Sequence, residues 1–297
     1  MKLARVLQEG SETLALAMEA QWIDLSRAWQ EYVREVEGVD AQSIRDMRQL
    51  LTHARFSTGF CRRILEYLQE SGRMQAHVLQ EPTHFLQPLR PGKIIAIGRN
   101  YAAHVKEFDN QMPEEPIFFA KSPTACIGPE RPIVVRDWFG RVDHEGELAV
   151  IIGQEVKDVA PELAQACIAG YTLINDVTAR EMQRADMEKG QPWYRSKNLD
   201  TFCPMGPTVA LPEAVNWPVE LDITVRVNGE TRQKSNTRMF LFKLETVISY
   251  ISRHMTLEPG DVIATGTPEG VGPLRPGDVV EVEVPEIGVL RNPVAGE

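Results

Sequence analysis

The apolar positions fall into two textures that meet near residue 90. In the first part, Met47, Leu50, Leu51, Phe60, Ile64 and Leu68 recur at helical spacing over a stretch from about Ser43 to Gln69, which predicts a helix with one buried face. Ser26 stands where an N-cap belongs for an earlier helix running through Glu37, and Leu14 to Leu25 alternates loosely enough to predict a hairpin. Arg90-Pro91-Gly92 punctuates the end of this part. It holds no chemical motif, and a small, structural α/β N-terminal domain over residues 1–90 is expected.

From Lys93 onward the pattern changes to short apolar runs separated by Gly and Pro turns. Ile94 to Ile97, Gly146 to Gly153 and Ala169 to Asn175 read as buried strands. Val225 to Thr231 reads as a hairpin, because Asn228-Gly229 tolerates the positive φ angles of a two-residue turn. Val247, Ile248, Ile251 and Met255 line one face of a helix from about Leu244. Two Pro-Gly-Asp turns, Pro259 to Asp261 and Pro276 to Asp278, each precede an apolar or alternating run. The fold class is α+β and β-rich, with residues 91–297 as a second domain.

Composition narrows the possible chemistry. A net charge of −10 over 297 residues argues against a nucleic-acid surface, which needs clustered Lys and Arg. It leaves room for an anionic substrate, since a metal and a few basic groups can reverse the sign locally. Cys61, Cys126, Cys167 and Cys203 are scattered, without zinc or disulfide spacing. No apolar stretch has the length of a signal peptide or a bilayer span, so a cytoplasmic location in a reducing compartment is expected.

The most informative segment is Asp143-His144-Glu145-Gly146-Glu147-Leu148 and the apolar run after it. In a strand, Glu145 and Glu147 share a face. Two readings stand: a solvated face, or a buried like-charged pair that a hard divalent cation neutralises. Asp176 follows another apolar run. An acid there is most often a helix N-cap, but a strand end is also where a ligand is delivered to a site. Three carboxylates would leave about half of an octahedral shell open, as a catalytic magnesium requires.

His104 and Glu107 stand at i and i+3 on a short helix that Asn100 could cap. This is ordinarily a surface ion pair, and alternatively a carboxylate-oriented base. Lys197 lies in a polar loop and Gln183 on the helix predicted from Thr178 to Met187. Both are ordinarily solvated, and they matter only if they face a metal. Thr265 to Gly272 is Gly-rich but lacks the Gly-Lys-Ser/Thr ending of a phosphate-binding loop.

Taken in order, Gly98-Arg99-Asn100-Tyr101, His104 and Glu107, Phe119-Ala120-Lys121-Ser122-Pro123, His144 to Leu148, Asn175 to Arg180, Ser196-Lys197 and Gly266 to Gly272 resemble the fumarylacetoacetate hydrolase superfamily over about Lys93 to Val294. The resemblance implies a mixed β-roll, a homodimer, and Mg2+ (or Mn2+) held by Glu145, Glu147 and Asp176. It further implies a His104–Glu107 catalytic dyad on a lid, with Lys197 and Gln183 on the oxyanion side. Arg99, Tyr101, Lys121 and Thr267 fall in its substrate-facing motifs. The implied substrate is a small 2-oxo acid. The implied reaction is hydrolysis of a C–C bond in a 2,4-dioxo acid of acylpyruvate or fumarylpyruvate type, through a metal-bound enolate. Oxaloacetate-type decarboxylation, 2-hydroxymuconate- or heptadienedioate-type isomerisation and sugar-acid dehydration are the alternatives. The N-terminal segment is longer than in compact members of the superfamily.

Overall fold

The computed structural model describes residues 1–297 except 20, 53–55, 57, 81–83 and 108–110. The strands at its centre, Gly146–Ile152, Ile168–Asn175 and Cys203–Ala210, are buried along their whole length. Near-continuous apolar sequence is what a strand covered on both faces requires. Alternation then divides the central strand: Leu148, Val150 and Ile152 enter one core, and Ala149 and Ile151 the other.

The first core also takes residues from the helix Leu244–His254 and from a five-stranded sheet. That sheet includes the hairpin of Asp222–Val227 and Glu230–Asn236 and the strand Val279–Val284, whose buried positions alternate as its sequence does. The second core is filled from the N-terminal segment, by Leu25, Ala28 and Trp29 and by Met47, Leu50, Phe60, Ile64 and Leu68.

The main sheet returns on itself. Cys203–Ala210, Ile168–Asn175, Gly146–Ile152, Val262–Ala264, Ile94–Gly98 and Ile117–Lys121 are successive neighbours. The chain then leads through Pro123–Ala125 into Cys126–Ile127, which pairs with Cys203–Ala210 and closes the roll. The strand Lys2–Gln8 adds to the other edge of Cys203–Ala210, so the N-terminal hairpin extends the same sheet. That hairpin is the expected one, Ser11–Met18 against Gln21–Asp24.

Several element ends differ from the sequence reading. Asp24, not Ser26, caps the first helix, accepting from Arg27 N at 3.0 Å. Ser26 instead accepts from Leu14 N at 2.9 Å and donates to the Ile44 carbonyl, tying the helix to the hairpin. The first helix, Leu25–Tyr32, continues as a wider turn over Val33–Glu37 and stops at Gly38, where φ is +69°. The long second helix is two helices, Met47–Thr52 and Thr58–Glu70. The first is capped by the Asp46 carboxylate, which accepts from Gln49 N at 2.8 Å, and part of the join lies outside the described residues. Among the described residues no helix is long and apolar enough to cross a membrane.

Candidate active site

Strand register gathers the acids. Gly146 pairs with Asn175, so the start of one strand lies beside the end of its neighbour. The residues just beyond, Glu145 and Asp176, meet through Asp176 N to Glu145 O at 2.8 Å, and Asn175 Oδ1 accepts from Glu145 N at 2.9 Å. Glu147 lies one pleat further along. One oxygen from each of Glu145, Glu147 and Asp176 falls within 4.8 Å of the others. All three are nearly inaccessible, with relative exposures of 4, 1 and 1%, which removes the solvated-face reading. Asp176 does not cap a helix: Thr178–Ala179 pairs as a short strand with Val142–Asp143, and the helix starts only at Arg180.

The charges around the trio are unequal. Lys197 Nζ donates to Glu145 at 2.7 Å and to Asp176 at 2.6 Å. Arg180 forks to Glu145, to Asp143 at 2.8 Å and to Gln183 at 2.7 Å. Lys121 pairs with Asp176 at 2.7 Å and donates to the Lys197 carbonyl. Burial acts to raise the Glu145 carboxyl, but Lys197 and Arg180 outweigh it and hold the group well below the usual range. Glu147 goes the other way: burial, then repulsion from Asp176 and Glu145, pushes it well above the usual value. Among the described residues no Lys or Arg forms an ion pair with Glu147, and its recorded hydrogen bond is from Gly266 N at 2.8 Å. An all-oxygen, acidic donor set with one uncompensated carboxylate fits a hard divalent cation.

The trio lines a cavity of about 270 Å³ together with Arg99, His104, Arg180, Gln183, Lys197 and Thr267. Phe119, Trp193 and Met187 supply apolar wall, and Arg184 and Glu188 stand at its charged side. Trp193 lies edge-on to Phe119 at 5.6 Å, and the Arg99 guanidinium sits 5.7 Å from its ring. Arg99 has φ +60°, and burial lowers its pKa.

The strand Ile94–Gly98 runs parallel to Val262–Ala264, so the residues that follow both strands reach the same end of the roll. There His104 Nδ1 lies 3.1 Å from Glu107 Oε2, on the helix Ala102–Glu107, and Glu107 Oε1 accepts from Gly270 N at 3.0 Å. Asn100 is not an exposed cap. Its side chain is buried and donates to Phe242 O and Thr265 O, and it accepts from Phe242 N.

Eight of the eleven sequence-derived candidates therefore line one cavity. Glu107, Tyr101 and Lys121 lie outside the lining, Glu107 reaching it only through His104. Tyr101 packs edge-on against Phe240 at 5.1 Å, and Lys121 lies behind Asp176. Sequence reasoning passed over Arg180, although it stands one helical turn before Gln183 on the same face and inside a quoted motif.

The same segments carry a match to known proteins. The family described as fumarylacetoacetate (FAA) hydrolase C-terminal matches residues 93–295. An uncharacterized protein of Pyrococcus abyssi is 50% identical over 209 residues, 70% of this chain and 92% of its own length. A mitochondrial oxaloacetate tautomerase of Bos taurus is 43% identical over 218 residues, 71% of this chain and 69% of its own. The structure of a fumarylacetoacetate hydrolase from Exiguobacterium antarcticum superposes with a TM-score of 0.81 at 34% identity, covering all of both chains. With the roll, the buried acids and more than two thirds of the sequence in agreement, the chain belongs to the fumarylacetoacetate hydrolase family.

Proposed function

We propose that this chain is a divalent-metal-dependent enzyme that converts a small 2-oxo acid through its enol form, with keto–enol tautomerisation of a short 2-oxo diacid as its reaction. The observation that carries the reading is the buried trio with Glu147 lacking a cationic partner, at the floor of a cavity that also holds a carboxylate-oriented imidazole. The 43% identical oxaloacetate tautomerase supports the choice of reaction.

Magnesium or manganese held by Glu145, Glu147 and Asp176 would supply Lewis-acid polarisation of the 2-oxo group. His104, oriented by Glu107, takes the proton from C3 and returns it to carbon or oxygen. The Lys197 ammonium and the Gln183 amide, which Arg180 holds through its oxygen, face the developing enolate. Arg99 offers its charge to a second carboxylate, against the Trp193 wall. Thr267 lines the cavity, Lys121 steadies Asp176 from behind, and Tyr101 anchors the segment leading into the His104 helix. A homodimer is the proposed assembly.

A second reading, hydrolysis of the C3–C4 bond of an acylpyruvate, draws on two observations. The His104–Glu107 pair is already assembled to activate a water, and the family likeness extends to a fumarylacetoacetate hydrolase.

An ultraviolet assay separates the two. Oxaloacetate, supplied as the enol, is followed at early times by its enol absorbance, and acetylpyruvate by loss of its own, each with Mn2+ and then with excess chelator. Metal-dependent acceleration of oxaloacetate ketonisation supports the tautomerase. Metal-dependent loss of acetylpyruvate moves the assignment to the hydrolase. If neither substrate responds to the protein, both readings fail.

A further inference from the structure

Gln233 takes no part in any reading above, yet its side chain joins the two halves of the candidate site. It lies on the strand Glu230–Asn236 and is 1% exposed. Its oxygen accepts from Gly146 N at 3.1 Å and from His144 Nδ1 at 3.1 Å. Its nitrogen donates to Thr267 Oγ1 at 2.8 Å and to the Pro268 carbonyl at 2.7 Å.

The amide orientation is unambiguous, because a backbone N–H can only donate and a carbonyl can only accept. All four positions of the amide are filled. Only Gln or Asn offers two donors and two acceptors from one planar group, and Asn is one methylene shorter.

The two ends of this clamp lead to different chemistry. Gly146 lies between Glu145 and Glu147. On the other side, Thr267 and Pro268 belong to the loop whose Gly266 N–H meets Glu147 and whose Gly270 N–H meets Glu107. The same strand grips that loop a second time through its backbone. Gly270 has φ +92°, and a Cβ there would stand 2.1 Å from the Arg232 carbonyl oxygen. Thr267 closes the circuit by donating to the Gly146 carbonyl at 2.9 Å.

We propose that Gln233 is a positioning residue that sets the carboxylate trio and the His104–Glu107 pair in register with each other. The proposal rests on the functional reading above, in which the trio holds the metal and the pair is the base. Gln233 hydrogen-bonds the peptide between two of the acids rather than an acid itself. Partners bonded directly to metal ligands change metal affinity or activity by about 10- to 100-fold when removed, and the lower end of that range is expected here.

The test uses the full chain and two variants. Gln233→Met keeps the volume and removes every hydrogen bond. Thr267→Val removes one joint of the clamp, keeps the branched shape, and carries the test should Gln233→Met fail to fold. Mn2+ affinity is read by calorimetry, kcat and KM on oxaloacetate by absorbance, and folding by thermal melting in chelator. The expected result is a loss of about tenfold or more in Mn2+ affinity and in kcat in the folded variants, with KM changed less. A variant that melts earlier but, below its melting temperature, keeps wild-type Mn2+ affinity and kcat overturns the proposal and leaves Gln233 a purely structural residue. The wild type, run in parallel, separates the two claims. If it neither binds Mn2+ nor turns over a 2-oxo acid, the functional reading falls first and takes this inference with it.

Discussion

Replacing Glu147 by Gln should make the metal-free protein more stable while disabling its metal site. In the folded chain burial, then Asp176 and Glu145, raise the Glu147 carboxyl well above its ordinary value of 4.5. The folded protein therefore holds a proton that the unfolded chain releases above about pH 4.5, and stability is lost as pH rises from there towards the folded value. At pH 7 the loss cannot exceed about 3.4 kcal/mol, the interval from 4.5 to 7 at about 1.4 kcal/mol per pH unit. The geometry is of the right scale: carboxylate oxygens within 4.8 Å of one another repel by about 3.5 kcal/mol or more at an effective dielectric of about 20, partly offset by Lys197 and the Gly266 N–H. Glutamine removes this cost, keeps an acceptor for Gly266 N, and adds an amide N–H2 whose burial costs about 1 to 2 kcal/mol. The net gain of at most about 2 kcal/mol raises the melting temperature by up to about 3 °C for a chain of this size, at about 2.1 cal/mol/K per residue. Differential scanning calorimetry in excess chelator should show the gain at pH 7 and none at pH 4, and calorimetric titration should show Mn2+ affinity reduced at least about tenfold. A variant that melts at or below wild type in chelator at pH 7 would refute the idea that Glu147 is uncompensated. Unchanged Mn2+ affinity would remove it from the metal site.

Further predictions concern other parts of the molecule. His104→Ala should lower kcat by about 10²- to 10⁴-fold with Mn2+ affinity nearly unchanged, and a variant with normal turnover would end the role of His104 as base. Arg180→Met leaves Asp143, which is fully buried, with only the half-exposed Arg141 as ion-pair partner, and should cost about 3 to 5 kcal/mol in urea denaturation. A cost under about 1 kcal/mol would mean that Arg141 and Lys197 compensate. Deleting residues 1–90 uncovers the edge of Cys203–Ala210 and one face of the central sheet, so the remainder should lose near-ultraviolet circular dichroism and Mn2+ binding. A truncated chain that still folds and binds Mn2+ would make 91–297 an independent domain. Light scattering on the intact chain checks the proposed homodimer.

Sequence alone determined the elements with strong periodicity. Gly146–Ile152, the hairpin turning at Asn228-Gly229 and the helix Leu244–His254 all form within a residue or two of the expected positions, because side-chain alternation and turn chemistry are local properties. It also placed Glu145 and Glu147 on one strand face and His104 and Glu107 at i and i+3, since both rest on short-range order, whereas adding Asp176 drew on a second strand end and on the family resemblance. It could not decide whether the glutamates faced water. That depended on Asn175 pairing with Gly146 and on Gly266 lying over Glu147, contacts that join residues up to 119 positions apart. The same holds for the caps: Ser26 and Asn100 have the right chemistry for a helix end, but the fold gives them partners elsewhere. Lys197 in its polar loop reads as an ordinary solvated lysine, and Lys121 stands in a substrate-facing motif, yet the closed roll buries both against Asp176. Gln233 carries no sequence signal at all, because a clamp is defined only by what it holds. Local pattern specifies which elements form, whereas burial and charge pairing arise from the register between distant strands.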